Sequence, residues 1–293
     1  MRIQHLFMMT AILLFIAACQ PKPQDQAQKA LHVFVSIPPQ AYFVERIGGP
    51  YVAVDVMVSP GQSPHSFEPT PKQVAILSQA DAYFEIGLPF EQRIVAKARE
   101  INPGLKLFDT RAGIALHQME EADEHAGAAG IPDPHVWLSP RLAKILAKNT
   151  CDALSSMDPA HAAEFRKNLD ALTADLDRVD ASIALALAPL RGKQFFVYHP
   201  AFWYFGDAYG LKQVPVEQLG KEPSAKELAA LIARAKAADV HVIFVQPQFP
   251  AKSAEAVAAA IDGSVVKIDD LSRDYLNNLE TIASRINEGL GKK

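Results

Sequence analysis

The sequence has little cysteine: 293 residues carry only Cys19 and Cys151. A disulfide framework of the kind that staples small exported domains is therefore excluded. It also lacks a bilayer-spanning apolar run. The longest such stretch, Leu6–Ala18, is interrupted only by Thr10 and is too short to cross a membrane as a helix. There is no basic surplus, with 29 Lys and Arg against 33 Asp and Glu for a net charge of −4. Nothing here offers the positive face that a nucleic-acid partner demands. No HExxH helix, serine nucleophile elbow or glycine-rich phosphate loop occurs. The sequence therefore points away from an enzyme.

What the chain does contain begins at its N-terminus. Arg2, the apolar run and the small residues after it have the form of a secretory signal over residues 1–18. Ile16-Ala17-Ala18-Cys19 resembles a bacterial lipobox, which makes Cys19 the lipidation site and the new N-terminus. Residues 19–30 are polar and rich in Pro and Gln, the composition of a flexible tether. The expectation is an exported body anchored by lipid in the periplasm or on the outer face of the cytoplasmic membrane. Cys151 lies in the apolar helical stretch LAKILAKNTCDAL, where a lone thiol serves as a small core hydrophobe.

The rest reads as strand, turn and helix in alternation. Strand-like runs occur at His32–Ile37, Val52–Val58, Ala82–Ile86 and Lys106–Phe108, then at Phe195–Tyr198, Gln213–Val216, His241–Val245 and Val265–Ile268. Amphipathic helical segments separate most of them, which predicts parallel sheets covered on both faces. The fold class is α/β: two similar lobes with mainly parallel four-stranded sheets, spanning 31–157 and 191–293. Between them, 158–190 reads as one long helix. Asp158-Pro159 supplies a cap and an N1 proline. Phe165, Leu169, Leu172, Leu176, Val179, Ile183 and Leu187 then recur at steps of four and three. About 30 residues at ~1.5 Å each give a rod of roughly 40–45 Å, a rigid strut along both lobes. Ser224 with Glu227 forms a capping box, and Leu271, Tyr275, Leu279, Ile282 and Ile286 mark a C-terminal helix.

Three of the nine histidines stand beside prolines and aromatics: His65 in SPGQSPHSFEPTP, His135 in DPHVWLSP and His199 in VYHPAFWYF. Proline restricts the backbone, so these imidazoles are held before anything binds. Ligands of open parallel sheets bind beyond the carboxyl ends of the strands. His199 follows one strand directly, Asp269 follows another, and His65 follows a strand of the first lobe. Three imidazoles and a carboxylate facing each other across the interlobe cleft make a four-coordinate metal site. Asp270 or water competes with Asp269 for the fourth position. Nitrogen-rich ligation favours Zn2+, one per chain, over Mn2+, Ca2+ or Mg2+, which prefer oxygen. Ordinary imidazoles would lose the metal steeply below about pH 6.

SPGQSPHSFEPTP, DPHVWLSP, VYHPAFWYFGDAYGL, VEQLGKEPS and VVKIDDLSRDYLNNL together resemble the zinc-type solute-binding lipoproteins of ABC transporters, the ZnuA/TroA-like cluster. The resemblance covers the mature chain in order. It implies two α/β lobes joined by one long helix, with metal held by His65 and His135 from one lobe and His199 and Asp269 from the other. It also implies a monomeric receptor that hands its cargo to the transmembrane subunit of a permease, and a His/acid-rich loop here represented by His117–His125. In that loop His117 and His125 would form at most a weak auxiliary site beside a solvated loop. Histidine at position 199 resembles the zinc type rather than manganese-selecting members. The alternatives are a manganese or iron receptor of the same architecture and a zinc hydrolase.

Overall fold

The computed structural model describes residues 29–119, 130–217, 224–249 and 252–291. The expected signal, the lipidation site Cys19, most of the tether and His125 lie outside the described residues.

Each strand expected from sequence is present, with ends shifted by one or two residues. In the first lobe β1 (Leu31–Val35), β2 (Val52–Val56), β3 (Ala82–Glu85) and β4 (Lys106–Asp109) form an all-parallel sheet in the order β2-β1-β3-β4. In the second, β5 (Gln194–Val197), β6 (Lys212–Pro215), β7 (Val242–Val245) and β8 (Ser264–Lys267) repeat it as β6-β5-β7-β8. The central strands are the most apolar because helices cover both faces; all four residues of β7 are buried. Among the described residues, four α-helices belong to the first lobe: α1 (Pro38–Gly48), α2 (Pro71–Leu77), α3 (Glu91–Ile101) and α4 (Pro140–Met157). In each sheet the chain leaves the first strand toward one edge and later strands run toward the other. The crevice beyond the strand ends therefore opens between β1 and β3, and between β5 and β7.

The long element is a helical turn at Pro159–His161, then α5 (Ala162–Leu187), then a turn at Ala188–Leu190. The 26 residues of α5 span about 39 Å. Asp158 does not cap the helix through its side chain. Its carboxylate instead holds the His161 ring at 2.5 Å. Phe165, Leu172, Leu176, Val179, Ile183 and Leu187 are buried along one stripe, each contributing roughly 1.5–3 kcal/mol. The stripe packs on α1 and α4 from the first lobe. From the second lobe it meets α6 (Trp203–Tyr209) and α9 (Tyr275–Gly291). One hydrophobic core thus runs from Phe34 through the strut to Phe195 and Phe244. A smaller cluster lies on the outer face of the second sheet, under α7 (Ala225–Ala237) and α8 (Lys252–Ala260). A core continuous across both lobes resists wide hinge opening. The Ser224–Glu227 capping box forms as its spacing implies.

Candidate metal centre

Three loops carry the site. His65 lies between β2 and α2, His135 lies just before α4, and His199 follows β5. One ring nitrogen from each lies within 4.8 Å of the other two. His135 and His199 are buried and His65 is partly exposed.

The two buried rings are oriented by carboxylates. Nδ1 of His135 is 2.6 Å from Oδ1 of Asp133, which also accepts the His135 amide at 2.9 Å. Nδ1 of His199 bonds Oε1 of Glu217, and the His199 backbone is clasped by Gln246, whose amide accepts from its N–H and donates to its carbonyl. A carboxylate only accepts, so each Nδ1 carries the proton and each Nε2 presents a lone pair. Those two Nε2 atoms stand 3.3 Å apart. Two ligands on one tetrahedral zinc, each at ~2.0–2.1 Å, would lie about 3.3–3.4 Å apart. Lone pairs aimed at each other at this distance are stabilised by a shared cation.

The rings also fix one another. His199 stacks on Phe249 with centroids 4.7 Å apart, and His65 lies 4.6 Å from His199. Burial, then the two neighbouring imidazoles, push the His65 pKa down to about 2. Burial likewise lowers that of His199, against the opposing bond from Glu217. Both rings are held neutral, the form that binds metal.

The expected acid divides differently. Asp269 is not in the three-histidine group. Its Oδ1 accepts from Gln248 Nε2 and from the Leu271 amide, both at 2.9 Å, and it faces an interlobe cavity of about 300 Å³. Asp270 points inward: it is buried, its Oδ1 has no hydrogen-bond partner, and burial pushes its carboxyl up to about 7 while His135 draws it down. Both residues lie beyond the end of β8, where the chain bends at Asp270. His117 is likewise outside the group; its ring stacks on Trp203 at 3.6 Å, and its amide donates to Tyr204 Oη.

The His135 loop is gripped from across the cleft. Trp137 Nε1 donates to the Asp270 carbonyl at 2.7 Å, Tyr275 Oη donates to the Trp137 carbonyl, and Tyr204 Oη donates to the Asp133 carbonyl at 3.0 Å. His135 and His199 are thereby fixed to one body despite coming from different lobes. Asp133, Glu217 and Gln246 are functional residues that the sequence expectations did not include. Asp133 was available from its Asp-x-His spacing, and Glu217 from strand register. Val197 pairs with Pro215, so His199 and Glu217, each two residues further on, emerge side by side.

Residues 33–289 match the family model described as "ZnuA: Zinc-uptake complex component A periplasmic". The chain is 30% identical over 301 residues to the "High-affinity zinc uptake system protein ZnuA" of Bacillus subtilis, covering 98% of this chain and 92% of that protein. It is 30% identical over 278 residues to the "Zinc-binding lipoprotein AdcA" of Streptococcus pneumoniae, covering 92% of this chain and 54% of that protein. A solved structure described as "Crystal structure of ZnuA" superposes with a TM-score of 0.83 at 41% identity, over 89% of this chain and 99% of that one.

Proposed function

This chain belongs to the ZnuA family of zinc-uptake components, and on that premise we propose that it captures Zn2+ outside the cytoplasm and delivers it to an ABC-type uptake permease. The observation that carries the reading is the pair of Nε2 lone pairs 3.3 Å apart, each backed by a buried carboxylate on Nδ1. In this reading His65, His135 and His199 bind one zinc per chain. Asp270, buried with an unpartnered Oδ1 and electrostatically coupled to His135, is favoured over Asp269 for the fourth, acidic position, although neither carboxylate lies within the three-histidine group. The acid fills the place a catalytic water would need, so the site serves as a receptor rather than as a hydrolase. Nitrogen-rich ligation disfavours manganese. The family resemblance and the lipobox-like Ile16–Cys19 support lipid anchoring through Cys19. Among the described residues no helix is long and apolar enough to cross a membrane.

Elemental analysis of protein purified without added metal, followed by competition titration, tests the proposal. One zinc per chain supports it; a metal-free protein indifferent to zinc defeats it. The same titration separates the two acids. Asp270→Asn should weaken zinc binding by about 10–100-fold, and Asp269→Asn by no more than about threefold. Reversed magnitudes would return the fourth position to Asp269.

The pH profile follows from the two depressed imidazoles. Three ordinary imidazoles would each lose about tenfold between pH 7.5 and 5.5, roughly 1000-fold together. With burial pushing the His65 imidazole down to about 2 and lowering that of His199, the loss should stay well short of 1000-fold, a shallower fall than the sequence alone suggests. Stability of the metal-free fold moves separately. The unfolded chain takes up protons at ~6.5, before the folded site does, so that contribution is lost as pH falls below 6.5. A 1000-fold loss of affinity at pH 5.5 would contradict the buried, neutral site.

A further inference from the structure

His65 is held differently from its two companions. Neither of its ring nitrogens has a hydrogen-bond partner among the described residues; only its amide is tied, to Ser63 Oγ at 3.3 Å. Its position is therefore set by its loop, and two of that loop's attachments to the first lobe flank the histidine. At the root, the Val58 amide donates to the Ser36 carbonyl at 3.0 Å. Beyond the histidine, the buried Phe67 ring packs edge-on against Phe90 with centroids 4.9 Å apart.

Both anchors converge on Glu91. Its carboxylate accepts from Ser36 Oγ, from the Ile86 amide at 2.9 Å and from the Gly87 amide at 2.7 Å. Ser36 Oγ also meets Tyr83 Oη at 2.5 Å. Phe90 is the residue immediately before Glu91, and Gly87 adopts the left-handed φ of +81° that lets the turn wrap the carboxylate. Glu91 is 2% exposed, and no Lys, Arg or His pairs with it among the described residues. It occupies the crevice between β1 and β3, the counterpart of the β5–β7 crevice where His199 and Gln246 sit. A buried carboxylate without a cation is costly to keep, and here it ties together two attachments of the one ligand that lacks a carboxylate of its own.

We propose that Glu91 is a positioning residue for His65, fixing the His65 loop through Ser36 at its root and through Phe90 and Phe67 beyond it. The inference rests on the zinc reading above. Glu91→Gln is the incisive variant. With its oxygen toward Ser36 and Ile86, the new amide NH2 meets the Gly87 N–H, donor against donor.

A double-mutant cycle with His65→Ala, read as zinc Kd against a chromophoric chelator, separates positioning from simple loss of stability. Glu91→Gln should raise the Kd by about tenfold when His65 is present and by less than about twofold in the His65→Ala chain. An equal rise in both backgrounds, or no rise in the first, overturns the inference. Should Glu91→Gln fail to fold, Phe67→Leu loosens the same anchor from the loop side and enters the same cycle with the same expectation. Wild-type protein that leaves zinc unbound overturns the metal reading and this inference with it. Wild-type protein that binds zinc, with Glu91→Gln neutral, overturns this inference alone.

Discussion

His199→Ala should abolish the stabilisation that zinc confers on this protein. A ligand that binds only the folded state at about 1000 times its Kd adds roughly 4 kcal/mol. For a chain of this size that corresponds to a rise in Tm of about 8 °C, taking ~2 °C per kcal/mol. The rise requires a nitrogen at the centre, and His199 supplies one of the two Nε2 atoms that already sit at zinc-ligand spacing. The same substitution strands Glu217, 2% exposed, whose bond to the His199 ring is lost. An unpaired buried charge of this kind costs about 3–5 kcal/mol, so the metal-free Tm should fall as well. His65→Ala separates the two effects. That ring is partly exposed and its nitrogens bond nothing among the described residues, so the metal-free Tm should hardly move while the zinc-dependent rise is lost. Thermal unfolding of the three proteins with and without zinc checks both statements. A His199→Ala chain that keeps the full rise would put the metal elsewhere.

Glu217→Gln and Asp133→Asn should each weaken zinc binding by about 10–100-fold, the range for partners that orient metal-bound imidazoles. The reason lies in proton placement. A carboxylate can only accept, so it fixes the proton on Nδ1 and leaves Nε2 free for metal. A carboxamide can turn its NH2 toward Nδ1, which drives the proton to Nε2 and blocks the ligand atom. Both carboxylates are almost wholly enclosed, with side chains 1% and 3% exposed, so water cannot readily take over the role. A neutral amide of the same shape avoids a stranded charge, and the metal-free Tm should stay within a few degrees of wild type. Competition titration decides it. Affinities unchanged within about twofold would show that ring packing against Phe249 and Trp137 suffices to orient the ligands.

Much of this was legible in the residues themselves. The eight strands announce themselves as short apolar runs bounded by Gly, Pro and polar residues. The strut follows from one apolar stripe over six turns, and α7 from Ser224 and Glu227. His65, His135 and His199 stand out because proline and aromatics flank each. The acid was harder. Asp269 and Asp270 are adjacent, in the bend that follows β8. A pattern of residues does not say which of two neighbours faces inward. Of the carboxylates behind the histidines, Asp133 is within reach of an Asp-x-His spacing, whereas Glu217 joins His199 only through the parallel register of β5 with β6.

The sequence by itself determined the two α/β repeats, the strut between them and three histidines suited to bind a metal. Near neighbours encode those features through periodicity, caps and proline-stiffened loops. Only the tertiary structure decided that the three rings meet, that Asp133 and Glu217 set the protons of His135 and His199, that Asp270 is buried while Asp269 faces the cavity, and that Glu91 sits behind the His65 loop. These depend on where distant segments land once both sheets pack on α5. His135 and His199 are 64 residues apart in the chain and share a centre because one continuous core holds both lobes against the same helix.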